Sequence, residues 1–93
     1  MALAICNKGE KNIMYYIFSF RSRVESMNFF DDLKSDGIFA RLVSTPRSIS
    51  IGCGLSVKIP PCVLEKAQII LSRCTYKTLL GLYYYNGLEF VKV

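Results

Sequence analysis

A chain of 93 residues that is 52% hydrophobic and 20% charged has room for one small globular domain with one modest core. It carries a net charge of +5 and no histidine, which excludes histidine-based zinc catalysis and Ser-His-Asp chemistry from this chain alone. The basic residues are scattered along the sequence, which predicts a mild preference for anionic ligands or acidic partners and only a weak nucleic-acid footprint.

Residues 1–11 read as a poorly ordered arm, followed by a single domain over 12–93. Asn12 to Phe20 is rich in β-branched and aromatic residues and predicts a strand. Ser22-Arg23-Val24-Glu25 fits a capping box, in which Ser22 and Glu25 satisfy each other's end of a helix start. Val24, Met27, Phe30 (or Phe29) and Leu33 continue as an apolar stripe, and Gly37 supplies the stop. Ile38 to Val43 predicts strand two and Leu55 to Ile59 strand three. Pro60-Pro61 opens a second helix whose apolar face is Val63, Leu64, Ala67, Ile70, Leu71 and Cys74. Leu79 to Tyr85 and Leu88 to Val93 predict two strands around an Asn86-Gly87 turn.

This order gives an α+β fold class: a ferredoxin-like β-α-β-β-α-β sandwich with an added C-terminal β-hairpin strand, strand three lying between strands one and two. No apolar run approaches the roughly 18–20 residues of a membrane span, and Met1 to Cys6 is too short for a signal-peptide core. A cytoplasmic location away from the membrane is the expectation. Tyr83-Tyr84-Tyr85 reads as a strand with aromatics on both faces, so nucleic acid is not expected as a partner.

The most informative string is Thr45-Pro46-Arg47-Ser48-Ile49-Ser50-Ile51-Gly52-Cys53-Gly54. Two glycines flank a cysteine, and glycine serves where the backbone takes special conformations or is closely approached. A thiol near an arginine and free amides gains thiolate character, the reactive form. The same string also reads as a tight turn holding a small apolar residue. In the expected topology Cys53 falls near Arg21, Ser22, Arg23 and the amides opening helix one, an end that favours anions. Arg47 adds a cation there, although these arginines equally read as solvated surface charges.

None of Cys6, Cys53, Cys62 and Cys74 forms a CxxC pair, and reduced thiols are expected. Cys53 and Cys62 flank strand three, which would separate them beyond the roughly 7 Å that a disulfide spans. Cys62 then reads as an inert first-turn residue, Cys74 as buried packing and Cys6 as incidental. No metal site and no cofactor are expected.

The segment Pro46-Arg47-Ser48-Ile49-Ser50-Ile51-Gly52-Cys53-Gly54-Leu55-Ser56, with the strand ending Ile17-Phe18-Ser19-Phe20 and the capped helix, resembles small bacterial domains described as putative selenium/sulfur carrier protein-like. The resemblance covers about residues 14–85. It implies that Cys53 holds sulfur or selenium and passes it on, with Pro46, Arg47, Ser50 and Gly54 as its motif neighbours. A carrier or accessory protein is therefore favoured over a stand-alone enzyme. Gly52 and Gly54 would leave room for a donor's cysteine, Arg47 and the helix-one amides would stabilise the terminal anion, and Ser50 would donate a hydrogen bond. The implied partners are a cysteine-desulfurase-like donor and a selenium or sulfur acceptor protein. Two other readings stay open: a non-enzymatic regulatory module binding a small anion or a partner through this loop, and a homodimer formed through the C-terminal hairpin edge.

Overall fold

The computed structural model describes residues 14–49 and 54–93. The arm expected over 1–11, Cys6, Ser50, Gly52 and Cys53 lie outside the described residues. Five strands and two helices follow in the order β1 (Tyr15–Phe20), α1 (Arg23–Ser35), β2 (Arg41–Ser44), β3 (Leu55–Ile59), α2 (Leu64–Arg73), β4 (Leu79–Tyr85) and β5 (Phe90–Lys92), with a 3-10 turn at Pro61–Val63 leading into α2. The fold is α+β. One sheet of order β2-β3-β1-β4-β5 is antiparallel at every pairing, and β3 lies between β1 and β2 as the sequence predicts.

The register sorts side chains onto two faces, because directly paired residues point the same way. Phe18 pairs with Val57 and with Leu82, and Tyr16 with Ile59 and Tyr84. This face meets both helices: Phe18, Phe20, Val57 and Ile59 join Phe29 and Leu33 of α1 and Ala67 and Ile70 of α2 in one buried cluster. The other face carries Tyr15, Ile17 and Ser19 of β1 with Lys58 and Ser56 of β3 and Tyr85, Tyr83 and Gly81 of β4.

α1 starts as predicted, with Ser22 as its N-cap. Its buried residues are Ser26, Phe29 and Leu33, whereas Val24 and Met27 of the expected stripe are exposed. The 22/26/29/33 line faces the sheet instead: Phe29 and Leu33 enter the core, and beside them the Ser26 hydroxyl donates to the Leu55 carbonyl at 2.6 Å. The stop is a Schellman motif, with the Gly37 N–H on the Lys34 carbonyl (3.0 Å), the Ile38 N–H on the Leu33 carbonyl (2.9 Å) and Gly37 at φ 77°. That motif uses Ile38, so β2 begins at Arg41 rather than at Ile38, although Ile38 and Ala40 are still buried.

α2 buries Ala67 and Ile70 but ends at Arg73. Cys74 is its C-cap in extended backbone and is exposed, which corrects its reading as core. Its thiol lies 3.7 Å from Asp32 Oδ2, which also accepts from the Tyr76 hydroxyl at 3.1 Å. Burial, then the contacts with Cys74 and Asp32, push the Tyr76 phenol above its ordinary value. Cys62 sits in the 3-10 turn and is disulfide-bonded. The expectation of a reduced, inert thiol fails there.

The β4–β5 connection is a four-residue loop, not a two-residue turn. Asn86 Oδ1 accepts from the Leu88 and Glu89 amides, and the Asn86 N–H donates to the Glu89 carbonyl. No helix among the described residues is long and apolar enough to cross a membrane.

Candidate functional site

The end of β1, the end of β2, the start of β3 and the start of α1 meet at one end of the sheet. The antiparallel register fixes this, because Phe20 pairs with Leu55 and Ser44 pairs with Leu55 across the other side of β3. The loop carrying the Gly-Cys-Gly string leaves from Ser44 and returns at Gly54, so both of its roots lie here. At the root the Thr45 N–H donates to the Gly54 carbonyl at 3.2 Å. Within the loop the Ile49 N–H donates to the Pro46 carbonyl at 3.0 Å, a turn over Pro46–Ile49.

Three hydroxyls lock this root from the face of the sheet opposite α1 and α2. Ser56 Oγ is hydrogen-bonded to Ser19 Oγ at 2.9 Å and to Thr45 Oγ1 at 2.8 Å, and all three residues are buried. Every buried side-chain polar atom among the described residues has a partner. The sequence does not single out Ser19, Thr45 and Ser56, because a serine in a strand reads as a polar position. Alternation alone holds the signal: Ser19 and Ser56 fall on the same parity as Ile17 and Lys58.

Gly54 is needed here for room rather than for conformation, since the positive-φ glycines among the described residues are Gly37, Gly81 and Gly87. A β-carbon at Gly54 would lie 2.9 Å from the Phe20 carbonyl oxygen and 3.0 Å from Thr45 Oγ1. The strand therefore returns from the loop pressed against the end of β1.

Arg21 and Ser22 lie beside this root. The Arg21 N–H donates to the Thr78 carbonyl at 2.9 Å, and the Arg21 side chain is exposed. Ser22 Oγ accepts from the Glu25 N–H at 3.2 Å, the cap half of the predicted box. The reciprocal half does not form. The Ser22 N–H instead donates to Thr78 Oγ1, and the Glu25 carboxylate accepts from the Thr78 N–H (2.9 Å), the Thr78 hydroxyl (2.6 Å) and the Lys77 N–H (3.2 Å). Glu25 thus ties the first turn of α1 to the entry of β4. Arg47 and Ser48 are exposed on the turn and Pro46 is half-buried. The structure brings Arg21, Ser22, Pro46 and Gly54 to one end of the sheet, with Arg47 on the loop that leaves it.

The hydrogen bonds from the Thr78 hydroxyl and N–H hold the Glu25 carboxyl below its ordinary value of 4.5, against a smaller opposing effect of burial. A carboxylate whose folded value is depressed contributes stability above its unfolded value and loses it as pH falls through the folded one. Urea titrations should therefore show the stability advantage of the wild type over Glu25→Gln intact at neutral pH and shrinking below about pH 4.5. A constant advantage down to pH 3 would show that the carboxylate's charge is irrelevant to this contact.

Among the described residues no group of three or more His, Cys, Asp or Glu side chains is placed to hold a metal ion. What this end can offer an anion is the first turn of α1, whose leading amides have no intrahelical acceptor, and the guanidinium groups of Arg21 and Arg47.

A small α+β domain with a cysteine-bearing loop rooted at a helix start is the class that this architecture defines. The family model described as putative Se/S carrier protein-like matches residues 15–78, from the first residue of β1 to Thr78, and the chain belongs to that family. No curated protein and no solved structure matched the chain.

Proposed function

We infer that the protein is a sulfur or selenium carrier that holds the atom on Cys53. The observation that carries this reading is the family membership across the span containing the Pro46–Ser56 string. The geometry of the loop root supports it. Cys53 is bonded to Gly54, and the start of β3 lies against the first turn of α1 through the Ser26–Leu55 hydrogen bond. A helix start stabilises a nearby anion by about 0.3–1 kcal/mol, and Arg21 and Arg47 add positive charge at the same end.

The Cys53 thiolate attacks the outer sulfur of a donor's persulfide. The donor's S–S bond breaks, its thiolate leaves, and a new S–S bond forms on Cys53. An acceptor nucleophile then takes the outer atom and Cys53 leaves as thiolate, so no external oxidant or reductant is consumed. The donor is of the cysteine-desulfurase type and the acceptor is a sulfur- or selenium-using protein, both meeting the loop in the cytoplasm. The β1–β4 run reads as a ferredoxin-like unit with β5 added beyond β4.

Intact-mass measurement after reduction and incubation with a persulfide donor tests the reading. The wild type should gain one sulfur atom at Cys53, and Cys53→Ser should gain none there, with Cys74 as the exposed-thiol control. Alkylation of Cys53 should proceed well below the ordinary thiol value of about 8.5. Loading of Cys74 and Cys53 at the same rate would overturn the carrier assignment and favour a loop that binds a small anion or a partner.

A further inference from the structure

The face of the sheet opposite α1 and α2 gathers cations and rings that the sequence disperses. Arg41, Lys58, Tyr83 and Lys92 fall in one lateral row around Ile17, through the pairs Arg41–Lys58, Lys58–Ile17, Ile17–Tyr83 and Tyr83–Lys92. The adjoining row is aromatic, with Tyr15 paired to Tyr85 and Tyr85 to Phe90. The Tyr15 and Tyr85 rings lie 4.9 Å apart and the Tyr85 and Phe90 rings 4.8 Å apart, while Lys58 Nζ sits 4.2 Å above the Tyr15 ring. All these rings are partly open to solvent. The acidic residues of the described chain lie elsewhere: Glu25, Asp31, Asp32, Asp36 and Glu65 on the helices or at the α1 end, and Glu89 in the β4–β5 loop.

We propose that this face binds single-stranded nucleic acid, the rings stacking on unpaired bases and Arg41, Lys58 and Lys92 meeting the phosphates. Partly exposed aromatic side chains beside cations on a sheet face form a sequence-tolerant platform for unstacked bases. A second copy of this chain is a poor occupant, because face-to-face association would oppose like charges. An acidic polypeptide would meet the cations but leave the ring faces unused. Tyr83, Tyr85, Phe90 and Lys92 lie beyond the span matched by the family model, so this surface stands apart from the carrier reading.

The test is fluorescence anisotropy of a labelled uridine oligomer of about 12 nucleotides against the full chain at about 50 mM salt. Saturable binding is expected, with log affinity falling against log salt at a slope of about −2, as three phosphate contacts on a single strand require. Arg41→Gln with Lys92→Gln should reduce that slope to roughly −0.7. Tyr83→Leu, which keeps apolar cover over Ile17, should weaken binding about tenfold. Lys66→Gln with Arg73→Gln, on α2, should leave affinity within about twofold, and thermal melts should report every variant folded. Four outcomes would each overturn the proposal: no saturation below about 100 μM, equal loss in the α2 variant, equal competition by polyglutamate (an acidic protein partner), or a sedimentation profile showing copies paired through this face.

Discussion

Phe29→Ala is expected to lower the unfolding free energy by about 3–5 kcal/mol, the range for truncating a fully buried aromatic side chain. The Phe29 ring is fully buried and sits 4.9 Å from Phe18, 5.7 Å from Phe20 and 5.8 Å from Tyr76. It joins α1 both to the central strand and to the segment that follows α2. Removing it leaves a void lined by the rings of Phe18, Phe20 and Tyr76, which are packed edge-on or tilted and have little freedom to collapse. A domain of this size has about 5–15 kcal/mol in all, so the variant would lose a large share of its stability. Urea denaturation at neutral pH measures the effect, and Val24→Ala, one turn away and 62% exposed, is its control at within about 0.5 kcal/mol. Similar losses in both variants would mean that the helix is rotated from the orientation described.

Gly54→Ala is expected to cost about 1–3 kcal/mol although it adds one methyl group to a residue at the sheet's end. The two atoms that the methyl would meet have nowhere to go. The Phe20 carbonyl belongs to the central strand, and Thr45 Oγ1 is held by Ser56, itself bonded to Ser19. Accommodation would break a buried hydroxyl contact or shift the root of the Cys53 loop. For a domain of this length each kcal/mol lowers Tm by about 4–8 °C, so a melting curve resolves the change. An unchanged Tm in Gly54→Ala would show that the loop root has slack, and the close approach of β3 to β1 would lose its role in positioning the loop.

The elements legible in the sequence are those whose determinants are local. β3 follows from the alternation of Leu55–Ile59 and β4 from an apolar and aromatic run, and the Ser22 cap from a side chain three residues from its donor. Determinants that cross the sheet are not legible in this way. The capping-box spacing assigns Glu25 to Ser22, but Glu25 bonds Thr78, 53 residues along the chain, because β4 enters beside the first turn of α1. Periodicity assigns Val24 and Met27 to the core, but the helix buries Ser26, Phe29 and Leu33, with the Ser26 hydroxyl on the Leu55 carbonyl of β3. It also makes Cys74 the last core residue of α2, but the helix ends one residue earlier. At the candidate site the motif names Pro46, Arg47 and Gly54, whereas the Ser19–Ser56–Thr45 network depends on register, which no single segment encodes.

The position of β1 has a consequence for where this domain can be cut. β1 is flanked on one side by β3 and on the other by β4, yet the family span stops at Thr78, just before β4. A fragment ending there would turn the most buried strand into an edge strand, with a row of unpaired N–H and C=O groups beside Phe18 and Phe20. Such an edge is a template for pairing with other chains. β4 is thus the seal that keeps the family-matched unit from pairing with other chains through its own centre.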